Sequence, residues 1–180
     1  MSTNERLFRI IDGLASNDLH VAVWNACMEK HWYFGNQSLT EEASLPFWKM
    51  DLDTAAPVSQ LWENCKATCE GITGHALRVA RQYANGHTYG LGGRPHADDP
   101  RAGTYTLLYY PMPVWRPEWE GETLFFDDKG NVLTGVLPAP NRAVLFDSRL
   151  LHAGRAPSRY CGGLRVTVAY KLEPFLTGQG

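Results

Sequence analysis

The second half of the chain is a series of short apolar runs separated by turn signals, and this pattern restricts the fold more than any other feature of the sequence. The runs span residues 75–84, 104–110, 122–127, 132–137, 142–147 and 164–172. Each run has the length of a β-strand. Gly130-Asn131 predicts a hairpin between two of them, and Pro138, Pro140 and Asn141 predict another turn. We therefore expect consecutive antiparallel strands.

Two segments nearer the N-terminus have helical periodicity instead. Residues 4–16 predict a helix for which Thr3 or Asn4 would be the N-cap, and residues 57–70 predict a second helix. The apolar stripes consist of Leu7, Ile10, Ile11 and Leu14 in the first helix and of Val58, Leu61, Trp62, Cys65 and Cys69 in the second. Such stripes bury one face of a helix against a core.

Aromatic and β-branched residues fill two segments between these helices. Residues 20–24 and 31–34 are predicted to be strands or ordered loops, and the polar residues 35–45 a loop. Helices followed by many short strands indicate a mainly β, α+β fold, in which helices pack on one face of an antiparallel sandwich. We expect one domain over residues 1–180, with 1–74 as helical and mixed support for a β core at 75–172.

Charge and apolar patterning argue against several classes of protein. The chain has 17 Lys and Arg and 19 Asp and Glu, so its net charge of −2 does not favour a nucleic-acid binder. No apolar run approaches the roughly 20 residues of a membrane-spanning helix, and the start lacks the pattern of a signal peptide. We expect a cytoplasmic protein whose four cysteines are buried free thiols. Its small size is compatible with a homodimer.

The triplet His96-Ala97-Asp98 is the first segment that indicates chemistry. On a strand, the side chains at 96 and 98 face the same side, whereas Asp99 would face the other, so Asp98 is favoured as a ligand. His152 follows the strand-like run 142–146 by six residues. Two histidines and one carboxylate can bind one face of an octahedral ion and leave three positions open, as in non-haem Fe(II) oxygenases.

Arg165 and Thr167 share one face of an otherwise apolar predicted strand, 13 residues beyond His152. A buried guanidinium needs an anionic partner. Its planar fork suits a carboxylate, and a threonine hydroxyl can donate to the same group. The alternative is an arginine on an edge strand that faces solvent.

In this order the segments resemble the Fe(II)- and 2-oxoglutarate-dependent dioxygenases, specifically their prolyl-hydroxylase-like branch. The resemblance covers roughly residues 75–172. It rests on the series His96-x-Asp98, 106–110, 121–125, 140–146, His152 and Arg165-x-Thr167. Residues 1–74 match only as the variable helical support that such enzymes carry.

The resemblance implies a double-stranded β-helix, or jelly roll, with Fe(II) at one mouth and 2-oxoglutarate beside it. The implied iron ligands are His96, Asp98 and His152. The residues implied to contact 2-oxoglutarate are Arg165, Thr167, Tyr110, Tyr83 and Asn85. Several prolyl hydroxylases have a lysine where this chain has Arg165, so the charge is the same and the geometry of the fork differs.

The implied reaction hydroxylates an unactivated C–H bond of a small or amino-acid-derived molecule, while 2-oxoglutarate and O2 yield succinate and CO2. Related halogenases have a small residue in place of the carboxylate at position 98, so Asp98 argues for oxidation without halide. Two alternatives stay open: a hydroxylase of prolyl or other protein side chains, and a cupin-like metal-binding module without turnover, in which Arg165 would face solvent. Candidate substrate contacts are Arg94, Trp115 and Arg155.

Overall fold

The computed structural model describes residues 6–29, 31–36 and 46–175, which form ten strands and two α-helices. In chain order these are β1 (Phe8–Asp12), α1 (Asn17–Glu29), β2 (Tyr33–Asn36), β3 (Phe47–Asp51), α2 (Ala56–Thr73), β4 (Leu77–His87), β5 (Tyr105–Tyr110), β6 (Thr123–Phe126), β7 (Val132–Val136), β8 (Arg142–Asp147), β9 (His152–Gly154) and β10 (Arg165–Pro174). A short 3-10 helix, Pro117–Trp119, precedes β6.

The strands form two antiparallel sheets. The larger has the order β1-β8-β5-β10-β4-β3-β2, and the smaller has the order β7-β6-β9. Phe125 of β6 packs edge-on against Phe146 of β8, with ring centroids 5.0 Å apart, so the two sheets share a core. Long central strands such as β10 are buried along most of their length, whereas β1 and β7 at the sheet edges are largely exposed. A mainly β sandwich with helices is therefore confirmed.

The second predicted helix is confirmed as α2. Its first turn contains Pro57, which needs no backbone N–H there, and it ends at Gly74 in the left-handed conformation with φ of 72°. The five apolar residues predicted to form its stripe are all buried. The Tyr170 hydroxyl donates to the carbonyl of Val58 at 2.7 Å, which ties the helix to β10.

Two predictions for the N-terminal segment are wrong. Residues 8–12 form strand β1 and not a helix, because they pair with β8 from Arg142 to Phe146. Residues 20–24, predicted as a strand or loop, lie in α1, where His20, Val23 and Cys27 are buried at helical spacing. Tertiary pairing and burial outweigh local propensity in both cases. The suggested caps Thr3 and Asn4, and most of the predicted loop 35–45, lie outside the described residues.

The six strands predicted from residue 75 onward are confirmed, as is the hairpin between β6 and β7. Of the segment 31–34, predicted as a strand or ordered loop, Tyr33 and Phe34 form the start of β2. Strands β3 and β9 were not predicted. The His96–Asp98 segment forms a one-residue bridge to His152 and not a strand. All four cysteines are buried and free, as expected. None of the helices described is long and apolar enough to cross a membrane.

Candidate metal centre

His96 and His152 are held side by side by their main chains. The N–H of His96 donates to the carbonyl of His152 at 3.0 Å, and the N–H of His152 donates back at 2.9 Å. In such a reciprocally bonded antiparallel pair, both side chains leave the backbone on the same side. The ring centroids are 4.6 Å apart. The loop after β4 and the start of β9 thus bring together two distant histidines.

The hydrogen bonds of the two rings define which nitrogen is free. Nδ1 of His96 lies 2.8 Å from the carbonyl of Arg94, and Nδ1 of His152 lies 2.9 Å from that of Leu150. A carbonyl can only accept, so Nδ1 carries the proton and Nε2 presents a lone pair in both rings. Burial lowers the pKa of His152 to about 4, which keeps this ring neutral near pH 7.

The carboxylate of Asp98 faces both Nε2 atoms. Its Oδ1 is 3.4 Å from Nε2 of His96, and its Oδ2 is 3.6 Å from Nε2 of His152. These separations are too long for strong hydrogen bonds, and neither unprotonated Nε2 could donate one. The three ligand atoms lie within 4.8 Å of one another. Three lone-pair donors around a common gap fit a divalent metal that keeps open positions, so the predicted set is compatible with Fe(II).

The neighbours of Asp98 fix its orientation. Its N–H donates to the carbonyl of Ser148 at 2.8 Å, and the hydroxyl of Thr106 on β5 donates to Oδ2 at 2.6 Å. The ammonium of Lys171 on β10 forms an ion pair with the same oxygen. Burial acts to raise the pKa of Asp98, but the charge of Lys171 holds that pKa well below its usual value. The carboxylate is therefore ionised, as a metal ligand must be.

The neighbouring Asp99 is occupied elsewhere. Its carboxylate oxygens accept from Arg101 at 2.7 to 3.1 Å, close to the protein surface. The preference for Asp98 over Asp99 therefore matches the geometry, although the argument from strand alternation does not hold, because residue 98 is not on a strand.

Arg165, at the start of β10, is a buried cation without a carboxylate partner. Its side chain is 1% exposed, and none of the described acidic residues lies within ion-pair distance of it. Nε donates to the carbonyl of Gly121, Nη2 to Thr123 Oγ1 at 2.8 Å, and Nη1 to His87 Nδ1 at 3.2 Å. Two of the five guanidinium N–H groups stay unused. Burial lowers the pKa of Arg165, which reflects the cost of a charge that lacks a counter-ion.

Two neighbours of Arg165 are adapted to it. Gly121 has φ of 77°, and a Cβ there would lie 3.1 Å from Cδ of Arg165, so both conformation and space require glycine. His87 accepts from Arg165 through Nδ1, so its proton is on Nε2, which is buried without a hydrogen-bond partner among the described residues. Burial and the charge of Arg165 lower the pKa of His87 to about 3. This end of the site is thus rich in donors that lack an acceptor.

One cavity of about 350 Å³ connects the two ends of the site. It is bordered by all three ligand candidates, by Arg165 and by three other predicted residues, namely Thr167, Tyr83 and Asn85. Tyr110 does not border it. The Tyr110 hydroxyl donates to Thr123 at 2.8 Å, and its ring lies under the guanidinium of Arg165 with Cζ 5.8 Å from the ring centroid. Tyr110 therefore packs against the guanidinium of Arg165 on the side away from the cavity. We expected instead a direct contact between Tyr110 and the cosubstrate.

The three predicted substrate contacts lie away from this cavity. Arg94 and Arg155 are exposed, and neither side chain borders the cavity. Trp115 is buried, donates to the carbonyl of Glu120 at 2.9 Å and packs against Trp119, so it belongs to the core under its loop. The loops thus carry Arg94 and Arg155 outward to solvent and Trp115 into the core.

Several site residues were not predicted from the sequence. Arg81 and His87 on β4 and Lys171 on β10 border the cavity. Thr106 on β5 does not border it, but its hydroxyl donates to the carboxylate of Asp98. A signal for Lys171 was present, since it has the same strand parity as Arg165 and Thr167 and so faces the same side. The same signal was present for Arg81 and His87, which share the strand parity of the predicted residues Tyr83 and Asn85 on β4. The contact of Thr106 depends on strand pairing, which only the fold defines.

Comparisons with known proteins agree with this geometry. Residues 82–170 match the family model described as "2OG-Fe(II) oxygenase superfamily". A prolyl hydroxylase from Trichoplax adhaerens, solved with a hypoxia inducible factor peptide fragment, is 19% identical with a TM-score of 0.64, and the match covers 95% of this chain and 85% of that one. A Pseudomonas putida prolyl-4-hydroxylase is 16% identical with a TM-score of 0.66, covering 96% and 95%.

A third solved structure is the alpha ketoglutarate dependent epimerase SnoN from nogalamycin biosynthesis. It is 11% identical with a TM-score of 0.72, and the match covers 98% of this chain and 87% of that one. No curated protein matches the sequence. At these identities the likeness shows the fold, which is the double-stranded β-helix of 2OG-Fe(II) oxygenases, as predicted.

Proposed function

We propose, from the premise that residues 82–170 are those of a 2OG-Fe(II) oxygenase, that this enzyme hydroxylates an unactivated C–H bond of a small or amino-acid-derived molecule and releases succinate and CO2. One observation carries the proposal. A single cavity is bordered both by three convergent lone-pair donors and by a buried arginine without a counter-ion. This is the donor set that a metal and a dicarboxylate need in one place.

Three residues would hold Fe(II): His96 and His152 through Nε2, and Asp98 through its carboxylate. Iron bound there, together with 2-oxoglutarate, supplies the activation of O2. The chain sets the geometry, because each Nδ1–H is fixed on a backbone carbonyl and the carboxylate is fixed by Thr106 and Lys171. Such outer contacts orient ligands and tune metal affinity.

Arg165 would bind the distal carboxylate of 2-oxoglutarate with its unused N–H groups, and the hydroxyl of Thr167 would assist. The guanidinium is already oriented by Gly121 and Thr123, so little conformational entropy is lost when the anion binds. Because Arg165 is buried, the charge-assisted contact is stronger than it would be at the protein surface. Burial of Arg165 also argues against the module without turnover, which a solvent-facing Arg165 would have favoured.

The test uses protein purified without metal and oxygen. Anaerobic calorimetry should detect binding of Mn(II) and then of 2-oxoglutarate, and admission of O2 to the Fe(II)-loaded protein should give succinate. Absence of both metal binding and succinate would refute the proposal. A matched Asp98→Asn protein should bind the metal more weakly and give less succinate.

A protein side chain is the second candidate substrate. The Trichoplax adhaerens prolyl hydroxylase, similar in fold, was solved with a peptide fragment. Proline-containing peptides should then raise succinate release above the basal rate and gain 16 Da by mass spectrometry, an increment that is the mass of one oxygen atom. If the peptides stayed unmodified while a small molecule was hydroxylated, this candidate would be excluded.

Three further expectations belong to the proposal. Residues 1–74 and 75–172 are proposed to fold as one domain, because β1, β2 and β3 join the same sheet as β4 and β10. A cytoplasmic location is proposed from the buried free thiols. A homodimer is proposed from small size alone, and sedimentation at several protein concentrations will test it.

A further inference from the structure

Two cations lie next to each other in the wall of the cavity. Lys171 of β10 is directly opposite Arg81 of β4 in the antiparallel register, and both residues border the cavity. Like charges at directly opposed positions destabilise a sheet. Folding alone therefore gives no reason for two opposed cations at this position. An anion bound between them would stabilise the pair.

Arg81 has no polar partner among the residues that the structure describes. Its guanidinium rests on the ring of Tyr83, with Cζ 5.0 Å from the ring centroid, and no hydrogen bond or ion pair engages it. The nearby carboxylate of Asp51 is bound by Lys49 and by the hydroxyl of Tyr33, each at 2.8 Å. The five N–H groups of Arg81 are thus available to a ligand.

Lys171 has capacity left as well. Its ammonium has three N–H donors, of which Asp98 takes one and Thr106, at 3.5 Å, takes at most a second. The side chain is 20% exposed, on the cavity side of Asp98. The ring of Tyr83 lies beside this ammonium too, with 5.9 Å between Nζ and the centroid. Tyr83 is therefore a shared aromatic support for both cations.

The other charges at this end of the cavity are already paired. Arg101 binds Asp99 at 2.7 Å, and Glu173 binds the exposed Arg78 at 2.6 Å and lies 3.6 Å from Arg101. At the metal end, Fe(II), Asp98, 2-oxoglutarate and Arg165 together are electrically neutral. Among the described residues at this end of the cavity, Arg81 is left without an ion-pair partner and Lys171 shares Asp98 with the metal, so this part of the wall keeps an excess of positive charge.

The 2-oxoglutarate proposed above does not supply the balancing negative charge. Arg165 is opposite His87 and Arg81 is opposite Lys171, so Arg81 and Arg165 are six positions apart along the paired strands, with roughly 20 Å between their Cα positions. The two carboxylates of 2-oxoglutarate are already assigned, one to Arg165 and one to the metal beside Asp98. The anion at Arg81 therefore belongs to a second molecule.

We propose that Arg81, with Lys171 beside it and Tyr83 under it, binds a carboxylate of the primary substrate, so that this enzyme acts on small carboxylic acids. The planar fork of Arg81 suits a carboxylate bound by two hydrogen bonds. Arg81 then determines specificity and takes no part in the chemistry. This inference rests on the proposed oxygenase function and narrows its substrate class.

The experiment compares matched acids and amides. Protein loaded with Mn(II) and 2-oxoglutarate is titrated by calorimetry with amino acids, small mono- and dicarboxylic acids, the primary amides of the same skeletons, and phosphate esters. The same compounds are tested for faster succinate release with Fe(II). We expect carboxylic acids to bind and stimulate, and each amide to bind at least about tenfold more weakly because a charge-assisted contact is lost.

The variant Arg81→Gln should lose the preference for acid over amide while 2-oxoglutarate binds with its usual affinity. Arg159→Gln is the matched control, because Arg159 is also exposed and rests on a tyrosine, with Cζ 5.1 Å from the ring of Tyr160, but does not border the cavity. The Arg159→Gln variant should keep the wild-type preference for acids over amides.

Amides or phosphate esters that bind as well as the acids, an unchanged preference in Arg81→Gln, or no response to any carboxylic acid would each overturn the assignment of Arg81. Loss of 2-oxoglutarate affinity in Arg81→Gln would also overturn this assignment, since it would show that Arg81 binds the cosubstrate. Failure of the wild type to bind 2-oxoglutarate and to release succinate would instead overturn the oxygenase function itself.

Discussion

His96 and His152 exchange two backbone hydrogen bonds, and this single bridge is what puts their imidazoles side by side. The metal centre therefore does not depend on two flexible side chains that happen to meet. Both rings are fixed at Cα by the bridge and at Nδ1 by a carbonyl, so the Nε2 atoms are positioned before any metal binds. Preorganisation of this kind lowers the entropic cost of metal binding.

Replacement of His152 by alanine should abolish metal binding without unfolding the protein. We expect the affinity for Mn(II) to fall by more than about 100-fold, since loss of a ligand exceeds the roughly 10–100-fold cost of losing an outer contact. Calorimetry measures the affinity, and circular dichroism should show an unchanged β-sheet spectrum. If this variant bound Mn(II) with wild-type affinity, His152 would not be a metal ligand.

Replacement of Thr106 by valine should weaken the metal centre indirectly. Valine keeps the shape but removes the hydroxyl that donates to Asp98 at 2.6 Å, so metal affinity should fall by about 10–100-fold. Thr134→Val, on the exposed strand β7, is the control and should bind metal normally. If both variants bind metal equally well, Thr106 does not position the carboxylate.

Replacement of Arg165 by alanine should weaken 2-oxoglutarate binding far more than metal binding. Loss of a charge-assisted contact costs about 1.5–3 kcal/mol, which corresponds to a weakening of roughly 10–150-fold. Arg165→Lys should recover only part of this, because an ammonium cannot maintain the contacts to Gly121 and Thr123 together with a two-point grip on a carboxylate. Equal 2-oxoglutarate affinity in wild type and Arg165→Ala would contradict the role.

Metal-free protein should lose stability as the pH falls below about 6.5, in part because of His87. The pKa of His87 is lowered from 6.5 to about 3, so between these values the unfolded chain binds a proton that the folded chain does not. Stability contributed by the neutral ring is complete above pH 6.5 and decreases toward pH 3. From pH 7.5 to 5.5 this amounts to about 1 kcal/mol.

Urea unfolding of wild type and His87→Gln at both pH values measures this contribution. The variant keeps an acceptor for Arg165 but cannot titrate, so its free energy of unfolding should decrease by about 1 kcal/mol less than that of the wild type. His20 and His152, whose pKa values are also lowered by burial, act equally in both proteins. Parallel losses of stability would show that His87 does not contribute.

Local sequence was sufficient where a strong periodic pattern met no competing interaction. Helix α2 and the strands after residue 75 follow their apolar patterns, because those patterns match the faces that are buried. It was insufficient at residues 8–12, whose Phe and two Ile suit either a helix or an edge strand until β8 offers its hydrogen bonds. Residues 20–24 fail for the opposite reason, since burial against the core selects a helix from residues of β propensity.

The sequence by itself determined the chemistry available to this protein: an ordered set of His96, Asp98, His152 and Arg165, each of a residue type that suits one task. Tertiary structure decided which groups surround them. Thr106 reaches Asp98, and Arg81 is opposite Lys171, only because β4, β5 and β10 pair in one register. Register depends on contacts between residues far apart in the chain, and no local pattern contains that information.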